Sequence, residues 1–284
     1  MTYLISEISS NHNCDIDRVE NLIKESKKLG FDAVKFQLFK IDKLFSEEIL
    51  SSSKKHSDRK RWELPDEFIP TISEICKAER IDFGITPFYL DAVKETKEYV
   101  DFFKIASYEI LWKKLFIECI STNKPLIFSS GMASLDEIES IFNLLSKENY
   151  TKKSTLLHCS SAYPTKVKEV NLKVISTLRE KFGLKTGWSD HTNKASVILS
   201  AIFKWNADCI ELHFDLDGKG YEAGDHCWTL EECKNLFNLV KEIELSDGDG
   251  LKRPNKSELS DRDWRSDPED GLRPLKKIRK DFEE

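Results

Sequence analysis

The chain has 284 residues, 33% of them charged and 39% hydrophobic, and a net charge of −6. That composition can fill a large core and keep a well-solvated surface, and the acidic balance gives no reason to expect nucleic acid or an anionic membrane as partner. An anionic substrate would need a local basic pocket instead of a global field.

The first apolar run, residues 3–7, ends in Glu7. It lacks a basic leader and a long apolar stretch, so no export signal is expected. Ile16, Val19, Leu22, Ile23 and Leu29 then mark one face of a helix, with Asp15 or Asp17 to cap its start and Gly30 its end. The second run, 33–37, carries Lys35 and Gln37. Residues 41–63 follow, charged and serine-rich. They read equally well as a lid or binding loop and as a solvated excursion before a helix near residues 66–77. Runs at 81–86 and 102–107 bring Thr86, Lys104 and Ser107, with Phe88 and Glu109 just beyond. The fifth run, 125–129, ends in Ser129-Ser130-Gly131, and Ser134 to Glu137 form a capping box for the next helix. The sixth, 155–160, holds His158, read as core, and leads to Ser160-Ser161 and Tyr163. The seventh, 186–191, ends in Ser189-Asp190-His191. The eighth, 209–214, carries Glu211 and His213 on one face, and a second box at Thr229 to Glu232 opens a last helix.

Eight strand-like runs alternating with helices imply a parallel α/β sheet. No GxGxxG follows the first run, so a dinucleotide-binding sheet has no support. The expected fold is a (β/α)8 TIM barrel over residues 1–245, close to the ~250 residues one barrel needs. Residues 246–284 read as a tail, too polar for a core of their own. Seven cysteines, an odd number without a CxxC pair, read as free thiols of a reducing, cytoplasmic compartment.

In a barrel of this kind the strand C-termini share one face, and there the useful residues collect. His191 and His213 end neighbouring strands and suit a divalent metal with open positions; Glu7 and Asp225 are carboxylates to add. Lys35 and Lys104 are costly to bury without anions. With Ser107 nearby and Ser129, Ser130, Ser160, Ser161 and Ser189 clustered at strand ends, they make a cradle for phosphate or carboxylate. Either lysine could instead form a Schiff base, as in class I aldolases. His12 reads as an orienter or a structural residue, and His226 as a neighbour of the site.

Taken together, Glu7-Ile8-Ser9-Ser10-Asn11-His12, Val34-Lys35-Phe36-Gln37, Lys104-Ile105-Ala106-Ser107, Ser129-Ser130-Gly131, Tyr163-Pro164-Thr165, Trp188-Ser189-Asp190-His191-Thr192 and Glu211-Leu212-His213-Phe214 resemble the sialic acid (nonulosonate) synthase family, in order over about residues 3–240. The resemblance implies metal-dependent condensation of phosphoenolpyruvate with an N-acyl aminosugar aldehyde, N-acetylmannosamine or a relative, giving a nine-carbon 2-keto acid and phosphate. It assigns His191 and His213 to a divalent ion, Mn²⁺ before Co²⁺ or Mg²⁺. It gives phosphoenolpyruvate to Lys35, Thr86, Lys104, Ser107, Ser129, Ser161 and Ser189. The sugar would meet Glu7, Gln37, Phe88, Tyr163 and Asp225, and Glu109, Glu7 and Lys104 would serve the chemistry. A homodimer is a further expectation.

Three departures stand out. Tyr108 adds bulk beside Ser107. Ser161 replaces a longer asparagine. The segment from His213 to Asp225 is one residue longer. The family's C-terminal antifreeze-like domain, which gives an arginine to the sugar site, has no counterpart before residue 284, so Arg265 or Arg273 is expected to take that part. The rivals are a Schiff-base aldolase and a non-catalytic sugar- or phosphate-binding barrel.

Overall fold

The computed structural model describes residues 2–282. Eight parallel strands close on themselves: β1 Tyr3–Ser9, β2 Ala33–Leu38, β3 Asp82–Pro87, β4 Phe102–Ile105, β5 Leu126–Ser129, β6 Ser154–Cys159, β7 Lys185–Asp190 and β8 Cys209–Asp215, with β8 pairing back on β1. This is the (β/α)8 barrel. A two-residue strand, Trp228–Thr229, extends from the end of β8.

The helices begin and end where the sequence provides caps. The Asp15 side chain accepts from the amides of Asp17 and Arg18 and starts helix Ile16–Leu29, and Gly30, at φ 105°, ends it in the left-handed region that glycine tolerates best. Ser134 and Glu137 close a capping box on Leu135–Lys147. Thr229 and Glu232 exchange the same bonds.

Alternation along the strands sorts side chains into two sets. One set, including Val34, Phe36, Phe83, Phe103, Phe128, Leu156, Trp188, Ile210 and Phe214, joins the helices in the main core. The other points into the barrel. Its lower layer is a separate apolar plug of Ile5, Ala33, Phe102, Ile127, Leu157 and Cys209. Gly84 belongs here because a Cβ would stand 2.1 Å from the Phe102 ring, and Gly187 because one would stand 1.9 Å from the Cys209 carbonyl oxygen. Two residues further along each strand the interior turns polar: Glu7, Lys35, Thr86, Lys104, Ser129, Ser189 and Glu211 are all buried there.

The 41–63 segment is ordered into helical turns, Ile41–Leu44, Glu47–Ser52, Lys54–Ser57 and Asp58–Trp62, before helix Phe68–Glu79. It is tied down by Glu63, whose carboxylate accepts from the Ile41 amide at 2.7 Å, and by Cys14, whose thiol donates to the Arg61 and Glu63 carbonyls.

Met1–Val240 forms one compact unit and Lys241–Glu284 a second, so the division falls inside helix Leu230–Asp247. Within the second unit Asp267 accepts from the amides of Glu269 and Lys276, Arg279 pairs with Asp270, and the Trp264 ring lies 5.9 Å from that of Phe282. Among the described residues no helix is long and apolar enough to cross a membrane.

Candidate active site

The C-terminal ends of the strands open into a cavity of about 650 Å³. Its floor is a charge network made by register. Glu7 stands opposite Lys35 in the β1–β2 pair and opposite His213 in the β1–β8 pair. The Lys35 ammonium contacts the Glu7 carboxylate and donates to Thr86 Oγ1 at 2.7 Å. Gln37 Nε2 donates to the other Glu7 oxygen at 2.9 Å. Lys104 Nζ and Ser189 Oγ both donate to Glu211 Oε1, at 3.2 and 2.9 Å. Each buried lysine thus has the anion that burial demands. Burial raises the Glu7 carboxyl, with Lys35 pulling against it; Glu211 is held down to about 2 by Lys104 and Lys35 in spite of burial.

Beside this network is a small hydroxyl-lined hollow. Gly131, at φ 42°, has no room for a side chain: a Cβ would stand 2.6 Å from both Ser107 Oγ and Ser161 Oγ. The hydroxyls of Ser129 and Ser161 are buried and make no hydrogen bond, and Ser107 Oγ meets only the Cys159 thiol, at 3.0 Å. Unsatisfied donors beside two ammonium groups form the kind of cradle an oxyanion fills.

Glu109 follows Ser107 on a single 3₁₀ turn, and one of its carboxylate oxygens is buried without a partner. Burial lifts this carboxyl to about 7, a value suited to proton transfer near neutrality.

The opposite wall carries imidazoles. The rings of His191 and His213 are 5.1 Å apart, His226 lies 4.9 Å from His213, and Tyr163 stacks on His191 at 4.1 Å. His191 Nδ1 meets the Ser160 carbonyl at 2.6 Å, which assigns the proton to Nδ1 and leaves Nε2 free. His213 has a buried nitrogen with no partner. Burial holds all three below the ordinary histidine value, His213 well below and His226 at about 4. Neutral imidazoles with free nitrogens are the form that ligates metal, so the donor set fits a divalent ion. Asp190 fixes this corner by accepting from the indoles of Trp188 and Trp228, the Thr192 hydroxyl and the Asn193 amide.

The expected residues divide clearly. Glu7, Lys35, Gln37, Phe88, Lys104, Ser107, Glu109, Ser129, Tyr163, Ser189, His191 and His213 line the one cavity. Thr86 touches it through Lys35, and Ser161 through the Gly131 hollow. Asp225 is exposed, and its loop neighbours Glu222 and His226 line the cavity instead. Arg265 and Arg273 belong to the second unit, where Arg265 Nε donates to the Arg262 carbonyl. His12 is buried, its Nδ1 accepting from the Cys14 amide, and His158 bonds the Val170 carbonyl beside Trp188, as a core residue does.

Residues that the 41–63 segment and the loop after β8 bring to the cavity were not foreseen as contacts, among them Arg59, Trp62 and Glu222. Arg59 and Trp62 sit in a charge-rich run without periodicity, and Glu222 in a loop whose shape depends on distant partners. Asn11 and Asn13 supply that shape by accepting from the amides of Glu222 and Tyr221 at 3.0 and 2.7 Å.

Known proteins resemble the chain over most of its length. The NeuB family model matches residues 22–252. An N,N'-diacetyllegionaminic acid synthase of Campylobacter jejuni is 35% identical, over 90% of this chain and 80% of that protein. A pseudaminic acid synthase of the same species is 31% identical, over 92% and 79%. The crystal structure of an N-acetylneuraminic acid (sialic acid) synthetase from Leptospira borgpetersenii superposes with a TM-score of 0.79 at 28% identity, covering 92% of this chain and 90% of that one. On the extent of these matches the chain belongs to the NeuB family.

Proposed function

We propose that the protein condenses phosphoenolpyruvate with an N-acyl aminosugar aldehyde, giving a nine-carbon 2-keto sugar acid and phosphate. The observation that carries this reading is one cavity in which two carboxylate-paired lysines lie between a hollow of unbonded serine hydroxyls and a cluster of neutral imidazoles. An anion and an aldehyde need those two environments side by side.

The residues divide the work. Lys35 and Lys104 neutralise the carboxylate and phosphate of phosphoenolpyruvate, and the hydroxyls of Ser107, Ser129 and Ser161 bind its oxygens around Gly131. Such fixed charges need no reorganisation as the reaction proceeds. His191 and His213, with His226 beside them, would hold a divalent ion, Mn²⁺ before Co²⁺ or Mg²⁺; when bound it would polarise the acceptor's carbonyl. C3 of phosphoenolpyruvate bonds to the aldehyde carbon, whose oxygen takes a proton from solvent and becomes a hydroxyl; water adds at C2, and the C2–O bond to phosphate breaks as the C2 hydroxyl gives up its proton and becomes the ketone. Glu109, near neutrality in its proton affinity, takes the proton of that water on its buried oxygen. Glu7 and Gln37 orient the acceptor, and Tyr163 packs beside it. Seven unpaired cysteines support a cytoplasmic setting.

The Schiff-base alternative is disfavoured because the ε-amino groups of Lys35 and Lys104 are both engaged by buried carboxylates, and neither stands free as an amine nucleophile. The test is product analysis by mass spectrometry after incubation with phosphoenolpyruvate, N-acetylmannosamine or its 2,4-diacetamido-6-deoxy analogue, and Mn²⁺. A nine-carbon keto acid formed with equimolar phosphate is expected. Covalent trapping of substrate on lysine by borohydride would overturn the reading.

A further inference from the structure

The mouth of the cavity has a wall that none of the chemistry above uses. It comes from the 41–63 excursion, whose Phe45, His56, Arg59 and Trp62 face the opening. The Arg59 guanidinium is half-buried against two aromatic faces, 5.2 Å from the Trp62 ring and 5.9 Å from that of Phe45. Phe45 is braced in turn by the His56 ring at 4.8 Å. Stacking of this kind stiffens a guanidinium and leaves its N–H edge available.

That edge has no protein partner among the described residues. Lys35 and Lys104, the other cations of the cavity, are each matched to a carboxylate. Among the described residues Arg59 makes neither an ion pair nor a hydrogen bond, although Asp58 and Glu63 are near in sequence. Trp62 adds a second idle donor, since its indole Nε1 is buried without an acceptor. A buried donor without an acceptor calls for a ligand atom.

A carboxyl shares this end of the cavity. Glu222 lines it from the β8 side, held by the Asn11 contact to its amide and by the Ser9 hydroxyl on its carboxylate. Burial and the neighbouring Glu7 lift Glu222 to about 7, while the positive field of Arg59 reaches it and works the other way. A guanidinium and a carboxyl at one site offer a donor beside an acceptor, which suits a neutral group that accepts from one and donates to the other.

We propose that Arg59, Trp62 and Glu222 form the subsite for an acyl-amido group of the acceptor. The guanidinium and the indole N–H donate to the amide carbonyl oxygen, Glu222 accepts from the amide N–H, and the acyl carbons pack on the Trp62 ring. These residues set specificity and take no part in bond making. The inference rests on the synthase reading, and it places acceptor recognition on the barrel's own β2 excursion.

The test measures kcat and KM for N-acetylmannosamine, for its 6-phosphate, for its 2,4-diacetamido-6-deoxy analogue and for mannose, with calorimetric titration of the same sugars. The proteins are the wild type, Arg59→Ala, Arg59→Lys and Glu222→Ala, each checked for unchanged melting. The wild type should prefer an acylated sugar over mannose. Arg59→Ala should raise the KM of the preferred sugar at least tenfold, leave the KM of phosphoenolpyruvate unchanged and bring the acyl preference to within a few-fold of none. Arg59→Lys should recover part of the preference, and Glu222→Ala should weaken it. Acceptor turnover with the acyl preference intact in Arg59→Ala would overturn the subsite and leave the synthase reading standing. A preference for N-acetylmannosamine 6-phosphate that vanishes in Arg59→Ala would overturn it in favour of an anion site. Wild-type failure to bind or turn over either acylated sugar would overturn both.

Discussion

The interior of the barrel holds two materials along the same strands. At the N-terminal end Ile5, Ala33, Phe102, Ile127, Leu157 and Cys209 form a dry plug whose glycines admit neighbouring atoms at van der Waals contact. Two residues further on, Glu7, Lys35, Lys104, Ser129 and Glu211 replace hydrocarbon with charge and leave buried hydroxyls unbonded. The lower layer minimises its own energy. The upper layer is satisfied only in part, and its open valences match a ligand that is anionic at one end and carbonyl-bearing at the other. Stability and activity should therefore separate by layer.

The sharpest break would come from the upper layer. Lys104→Met removes one of the two cations of the cradle and frees Glu211; acceptor-dependent phosphate release should fall about 10³-fold, the scale seen when a preorganised charge donor is lost. Next in size is Gly131→Ala, whose methyl would displace Ser107 and Ser161. A loss of about 100-fold is expected in kcat/KM for phosphoenolpyruvate, as for reactants misplaced by about 1 Å, while calorimetric metal binding stays unchanged.

A smaller effect concerns pH. In the role proposed for it Glu109 acts ionised, and its carboxyl is lifted to about 7, so kcat/KM should rise with pH through that value, with the limb absent in Glu109→Gln. Its effect on stability has the opposite sense. The folded protein keeps this proton up to about 7, whereas the unfolded chain releases it at the ordinary 4.5. That share of stability is full below pH 4.5 and is lost as pH rises towards 7. Melting temperatures of the wild type and Glu109→Gln across this range check the sign.

The lower layer should show the reverse and, for catalysis, the least effect. Leu157→Ala opens a cavity in the plug and should cost about 2–5 kcal/mol in denaturant unfolding. The KM values at a temperature where the variant is folded should stay within twofold of wild type. A large catalytic defect in a folded Leu157→Ala protein would merge the two layers and defeat the comparison.

Much of this was readable in the residues. Strand runs, capping boxes and the Gly30 stop are local signals, and period-two alternation alone put Glu211 and His213 together. The lysines announced themselves because a charge in an apolar strand needs a partner, and register supplied Glu7 and Glu211. The 41–63 segment reads as either lid or solvated excursion in the sequence because its order comes from Cys14 and from the Glu63 bond to Ile41, contacts no period encodes. Glu222 carries no signal of its own in the sequence for the same reason: the β8 loop takes its shape from Asn11 and Asn13, about two hundred residues away.

The most direct test of the central claim is phosphate release from phosphoenolpyruvate across a panel of N-acyl aminosugars, with Mn²⁺ and with chelator, on wild type and His213→Ala. The account predicts release that requires an acylated sugar, is stopped by chelator and is lost in His213→Ala. Release that ignores both chelator and His213, or a wild type that does not bind phosphoenolpyruvate at all, would contradict it.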